Sequence, residues 1–261
     1  DKIVSINSVS TKGMNLVEAA KHMRGKRGSA AILGIFRDGF EKPKDFKVVR
    51  GTVKIKSVKY TDLNDGYGYI KITNFIENSS RDLKRYLSKH VKKHKAIKGL
   101  ILDLRRNPGG LLDQAVQVSN LFLEKGDIVS TKDRSGKKPE IMKATKDGTL
   151  PDFPLVVLIN EYSASASEIV AGALQDNKRA LIMGQRSFGK GSVQSVVKLG
   201  DGSGLKLTVA RYYTPSGRSI QAEGIDPDVK VDDLNQAVID DARIKKTIKR
   251  ERDIKGHLVG D

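Results

Sequence analysis

Short apolar runs separated by clusters of turn-forming residues recur along the chain, and most are too short to be helices. Residues 99–104 (GLILDL) and 154–159 (PLVVLI) are continuous runs of strand length, the pattern of strands covered on both faces. Residues 48–58 and 66–75 read as two further strands with a turn at Asn64, Asp65 and Gly66, and 180–184 as a short one. Residues 193–199 and 204–213 form a hairpin across Gly200, Asp201 and Gly202, and in its second arm Leu205, Leu207 and Val209 alternate with Lys206, Thr208 and Ala210. Helical spacing appears between these runs. Leu83, Leu87 and Val91 follow the polar residues Asn78 to Ser80, an amphipathic stretch spans 111–123, and Ile169, Val170, Ala173 and Leu174 follow Ser165. Strands alternating with helices predict an α/β core.

The flanks are different in texture. Residues 2–7 predict a strand, Asn15 with Glu18 has the form of a capping box opening a helix to Met23, and 30–36 predict another strand. Residues 39–47, with Gly39, Pro43 and several charges, read as a linker. Residues 127–146 read as a polar hairpin with Gly136 at its tip, and the charged tail 232–261 is helical in pattern.

Charge narrows the picture. Lys and Arg total 48 against 31 Asp and Glu, a net +17, much of it in 81–98 and 243–255. Such a surface concentrates anions, but the first of these segments is already explained as a basic amphipathic surface helix, and no zinc-knuckle spacing or phosphate-binding loop accompanies it. No specific nucleic-acid partner is expected. The chain has no cysteine, which removes disulfides and thiol ligands, and no apolar run approaches the ~20 residues of a membrane span.

Candidate chemistry centres on Ser165, where the 154–159 strand hands over to a helix. At such an entrance the first N–H groups lack intrahelical partners and the helix dipole is positive, so a developing oxyanion is stabilised. A serine hydroxyl needs a base. The four histidines, His22, His90, His94 and His257, are all distant in sequence, whereas Lys190 lies nearby in a glycine-bracketed loop, SFGKGS at 187–192. Lysine acts as a base only as the neutral amine, and holding half of it neutral at pH 7 takes about 4.6 kcal/mol against the charged form, which burial supplies. Gln194 is placed to orient the amine without adding charge. The turn Asn107-Pro-Gly-Gly110 has two readings: a plain strand-to-helix turn, or backbone N–H groups presented to a ligand.

The SASASE run at 163–168, the FGKG turn at 188–191 and the following Gln194, in this order and with 25 residues between Ser165 and Lys190, resemble the active-site pattern of the carboxyl-terminal processing (tail-specific) proteases, a Ser/Lys family. The likeness runs from about 48 to 231. It implies an α/β spiral core related to the crotonase and Clp-protease folds at 48–231, with Ser165 as nucleophile, Lys190 as general base and Gln194 supporting it. Ala166 and either Gly109 or Gly110 would supply the oxyanion hole. Residues 1–38 resemble the second half of a PDZ domain, whose carboxylate-binding loop would precede Asp1, so no peptide-carboxylate site is assigned here. The resemblance further implies protein or peptide substrates with apolar C-termini, an extracytoplasmic or periplasmic location and no metal or cofactor. The cationic surface suits peripheral association with anionic envelope surfaces. The competing readings are a catalytically silent peptide-binding protein and an anion-binding protein on the same fold.

Overall fold

The computed structural model describes residues 1–52, 56–133, 140–231 and 249–260. Its backbone divides into two units, 1–55 and 56–261. In the first unit, β1 (Lys2–Ile6), β2 (Val9–Ser10), β3 (Ala30–Phe36) and β4 (Lys44–Val49) form an antiparallel sheet in the order β2-β1-β3-β4. The helix α1 (Leu16–Met23) opens as its sequence predicts, with the Asn15 side chain accepting from the N–H groups of Val17 and Glu18 while Glu18 accepts from Asn15 N.

The expected linker at 39–47 needs correction. Its second half belongs to β4, which pairs with β3 from Ala30 opposite Val49 to Ile35 opposite Lys44. This strand lies at the sheet edge and is exposed throughout, so it has no buried face to give it an apolar period. Lysine, aspartate and a preceding proline are what an edge strand tolerates. The single strand expected over 48–58 is likewise absent: β4 ends at Val49, the next strand starts at Val58, and 53–55 lie outside the described residues.

The second unit contains, in chain order, β5 (Val58–Asp62), β6 (Tyr67–Ile72), α2 (Ser79–His94), β7 (Gly99–Asp103), α3 (Leu112–Asn120), β8 (Asp127–Asp133), β9 (Glu140–Lys143), β10 (Leu155–Ile159), α4 (Ala166–Asp176), β11 (Leu181–Gly184), β12 (Ser192–Lys198), β13 (Gly204–Tyr213) and β14 (Val229–Lys230). A six-stranded mixed sheet has the order β14-β11-β10-β7-β6-β5, parallel except for the β5–β6 hairpin. A second, four-stranded sheet runs β12-β13-β8-β9. The mixed α/β class expected from the sequence is the class observed. The tip of the β8–β9 hairpin and the helical pattern of 232–248 lie outside the described residues, and none of the described helices is long and apolar enough to cross a membrane.

The core gathers around β7 and β10. Leu102, Val157, Ile159, Ile70 and Ile72 are fully buried, joined by Leu83 and Leu87 of α2, Val118 of α3 and Leu174 of α4. Each such side chain contributes roughly 1.5–3 kcal/mol by leaving water. Helix α3 ends at Asn120, short of the predicted 123, because Leu121, Phe122 and Leu123 are buried as a turn whose carbonyls take other partners, Leu150 N–H on Leu121 and the Thr149 hydroxyl on Leu123. Since β7, β10 and β11 are adjacent and parallel, the turns leaving their carboxyl ends, at 104–110, 160–165 and 185–191, converge on one edge of the sheet. Ligands of open α/β sheets bind at that edge.

Candidate active site

The loop between β10 and α4 is fixed by the serines on either side of Ser165. The Ser163 hydroxyl donates to the Leu104 carbonyl at 2.9 Å and accepts from Asn160 N at 3.0 Å. The Ser167 hydroxyl donates to the Asn107 carbonyl at 2.9 Å. Both serines are fully buried and both reach across to the β7 turn. Ser165 differs. It is half-buried, its side chain does not cap α4, and its backbone takes φ 54 and ψ −113, a region costly for any residue with a Cβ. A strained residue thus stands between two anchored neighbours at the entrance of a helix.

The β7 turn is built to meet it. Asn107, fully buried, donates through Nδ2 to the Ile72 carbonyl, accepts Gly109 N–H at Oδ1 at 2.9 Å, and accepts Ala164 N–H on its own carbonyl at 3.0 Å. Gly109, at φ 102, lies so close to the serine loop that a Cβ there would sit 2.9 Å from Ser165 Cβ and 3.0 Å from Ala166 N. The two glycines of the turn are therefore not equivalent. The Gly109 N–H is committed to Asn107, whereas Gly110 sits in a parallel bridge to Phe75 made by its neighbours, Phe75 N to Gly109 O and Leu111 N to Phe75 O, both at 2.9 Å. In that geometry the N–H of Gly110 itself points away from Phe75. Neither Gly110 N nor Ala166 N donates to a backbone acceptor among the described residues.

Lys190 is tied to this loop through the carboxylate of Glu168, the last residue of the SASASE run. Glu168 is fully buried in the first turn of α4 and accepts four hydrogen bonds. Oε2 takes Ser165 N–H at 2.7 Å and Lys190 N–H at 2.9 Å; Oε1 takes Gly189 N–H at 2.6 Å and the Ser187 hydroxyl at 2.5 Å. Burial pushes the carboxyl up to about 7, against the downward pull of these four bonds. No cation supplies any of them. On its other side the Lys190 loop is held by the 220–225 segment: Ala222 N–H donates to the Gly189 carbonyl at 2.8 Å, and fully buried Gln221 accepts Gly191 N–H at 3.1 Å. The backbones of half-buried Lys190 and half-buried Ser165 thus share Glu168 as a common support.

The remaining predicted residue stands apart. Gln194 is exposed on β12, at the edge of its sheet, opposite Thr208 and next to a register shift between Val193 and Gln194. Before the 104–110 turn, and not anticipated, lies a charge cluster around buried Asp103 at the end of β7. Asp103 accepts from Tyr69 at 2.5 Å, Lys71 at 3.0 Å, Arg105 Nε at 3.0 Å and Arg105 N at 2.8 Å. Burial alone would raise its carboxyl, but the hydrogen bonds from Arg105, Tyr69 and Lys71 outweigh this and hold it below the usual range. Glu168 was visible as the last residue of the SASASE run; the side-chain roles of Asn107 and Asp103 carried no comparable signal, since most of their partners are distant in sequence.

Comparison with known proteins follows the same residues. The family model described as peptidase family S41 matches residues 66–231. The carboxy-terminal-processing protease of Bartonella bacilliformis is 46% identical over 264 residues, covering 100% of this chain and 59% of that protein. The carboxy-terminal processing protease CtpA of Bacillus subtilis is 41% identical over 234 residues, covering 89% of this chain and 49% of that protein. Among solved structures, a photosystem II D1 C-terminal processing protease superposes with a TM-score of 0.61 at 35% identity, over 88% of this chain and 62% of that one. The chain spans roughly half to three-fifths of the length of these curated relatives.

Proposed function

The chain belongs to peptidase family S41, and we propose that it is the catalytic part of a serine endopeptidase that processes proteins near their carboxyl termini. The observation that carries this reading is the contrast within the SASASE run. Two of its serines are buried with their hydroxyls bonded across to the β7 turn, while Ser165 is held on a positive-φ turn with its hydroxyl free of any helix-capping role and its backbone joined to Lys190 through Glu168.

In this reading neutral Lys190 removes the Ser165 proton as the hydroxyl oxygen attacks a substrate peptide carbonyl. The oxyanion forms against the N–H groups of Ala166 and Gly110; Gly109 serves the site by close packing, since its own N–H is engaged by Asn107. The ammonium of Lys190 then returns the proton to the leaving amine, the C–N bond breaks, and the same base activates the water that hydrolyses the Ser165 ester. Gln194 supports the lysine once a substrate draws β12 and the Lys190 loop together. The first unit is PDZ-like, substrates are proteins or peptides with apolar carboxyl termini, and the work is extracytoplasmic.

Replacing Ser165 or Lys190 by Ala is expected to abolish cleavage of an unfolded protein substrate while the circular dichroism melt stays within a few degrees of the parent. Undiminished proteolysis by either variant would overturn the assignment.

A further inference from the structure

The four histidines fall into two unlike sets. His22 and His257 lie outside α2, whereas His90 and His94 stand one turn apart on it, facing Asp62 at the end of β5. One ligating atom from each of Asp62, His90 and His94 lies within 4.8 Å of the other two. The two imidazole rings are 4.7 Å apart between centroids.

The hydrogen bonds define how each ring is presented. His90 is buried, with Nε2 at 3.0 Å from the Gly66 carbonyl. A carbonyl only accepts, so Nε2 carries the hydrogen and the lone pair resides on Nδ1, which faces the Tyr60 hydroxyl at 2.7 Å. A histidine whose far nitrogen donates to a backbone carbonyl is held in the tautomer and orientation that metal ligation uses. His94 Nε2 donates to the Asp62 oxygens, at 3.0 and 2.9 Å, because a carboxylate only accepts, and ligation there shifts its hydrogen to Nδ1. Asp62 also accepts Asn64 N–H at 2.9 Å and the exposed Lys93 ammonium at 2.5 Å.

We propose that His90 Nδ1, His94 Nε2 and one oxygen of Asp62 form a site for a borderline divalent transition ion of the Zn²⁺ class, which joins α2 to the β5–β6 hairpin. Two neutral imidazoles and one carboxylate suit that class; Ca²⁺ and Mg²⁺ require more oxygen ligands. Binding releases Lys93 from Asp62 into solvent, where most of its side chain already lies, and turns the Tyr60 hydroxyl off the Nδ1 lone pair. The site is structural. It sits at β5, the edge of the six-stranded sheet, with β6 and β7 between it and β10, from which the Ser165 loop departs.

The test uses the full chain, cleared of metal with a chelator and titrated with ZnCl₂ by calorimetry in a non-coordinating buffer. One saturating equivalent is expected, together with a rise in Tm. Binding should weaken by about tenfold or more in His94→Ala and in Asp62→Asn, since each removes one of three ligands. The double variant His22→Ala/His257→Ala should bind as the parent does. Because the chain has no cysteine, the visible band of the Co²⁺ complex must arise from nitrogen and oxygen ligands, and His94→Ala should lose it. Lys93→Ala, which removes the competitor for Asp62, should bind more tightly. This gain cannot be produced by misfolding. Absence of saturable binding, or equal binding in His94→Ala and the parent, would overturn the proposal.

Discussion

Asp103 and Glu168 are both buried carboxylates beneath the candidate site, and they are held in opposite ways. Asp103, under the turn that presents Gly110, is compensated by Arg105 and Lys71 and kept below its ordinary range. Glu168, under Ser165 and Lys190, meets only neutral donors, three backbone N–H groups and one hydroxyl, and burial takes it up to about 7. The turn at Gly109 and Gly110 is therefore braced by a carboxylate with cationic partners, and the backbones of Ser165 and Lys190 by one that has none.

The largest break in this comparison should come from Asp103→Asn. Removing the carboxylate leaves Arg105 and Lys71 facing a neutral amide, and breaking a buried pair this way typically costs about 3–5 kcal/mol. The lower end, about 3 kcal/mol, is expected because the Arg105 and Lys71 side chains are partly exposed, and solvent screens what they lose. Urea unfolding measures it; a loss under about 1 kcal/mol would mean the cluster is not the brace described.

Glu168→Gln should shift the balance from stability towards activity. The amide group of glutamine turns an NH₂ towards two donors in place of an acceptor, a mismatch of about 1–3 kcal/mol. The groups left unsupported are the backbones of Ser165 and Lys190, or of Gly189 with Ser187, so kcat should fall by about tenfold or more while KM changes little, the pattern of a geometry needed only in the transition state. Equal losses in kcat for Glu168→Gln and for a variant of similar Tm elsewhere in the core would reduce Glu168 to a structural role.

The same pair predicts a pH signature. A carboxyl raised from 4.5 to about 7 in the folded protein binds its proton more readily there than when unfolded. Its contribution to stability is full below the unfolded value and is lost as pH rises through about 7. Asp103, lowered, does the reverse: its contribution is present above 3.8 and is lost as pH falls through its folded value. The Glu168 contribution to stability should increase as pH falls through about 7, and Glu168→Gln should remove that trend. A parent and variant with superimposable pH profiles of Tm would contradict the assignment.

How much of this was legible in the sequence depended on whether a residue's partners were local. The strands β7 and β10 were plain because strands buried on both faces are apolar throughout, and β4 was missed because an edge strand exposed along its length has no such period. The strand-to-helix position of Ser165 followed from the run before it and the helical spacing after it. That Gly109 and Gly110 differ was not legible, because the difference lies in which N–H the buried Asn107 side chain takes. Glu168 was half legible: its helix-capping contact is three residues away, its contacts with 187–190 about twenty.

Gln194 is where motif order and geometry diverge most, and it carries the smallest expected effect on the fold. It lies exposed on an edge strand, beside a register shift, and its side chain contributes nothing to the core. Gln194→Ala should leave stability within about 0.5 kcal/mol of the parent, as surface substitutions do. If the amide supports Lys190 once substrate is bound, kcat must still fall, though less than for Ser165→Ala or Lys190→Ala, because an orienting neighbour is lost and the reacting groups remain. A loss of kcat without a loss of Tm would place the function of Gln194 in the substrate-bound state. Unchanged kcat would remove Gln194 from the site and leave Glu168 as the support that Ser165 and Lys190 share.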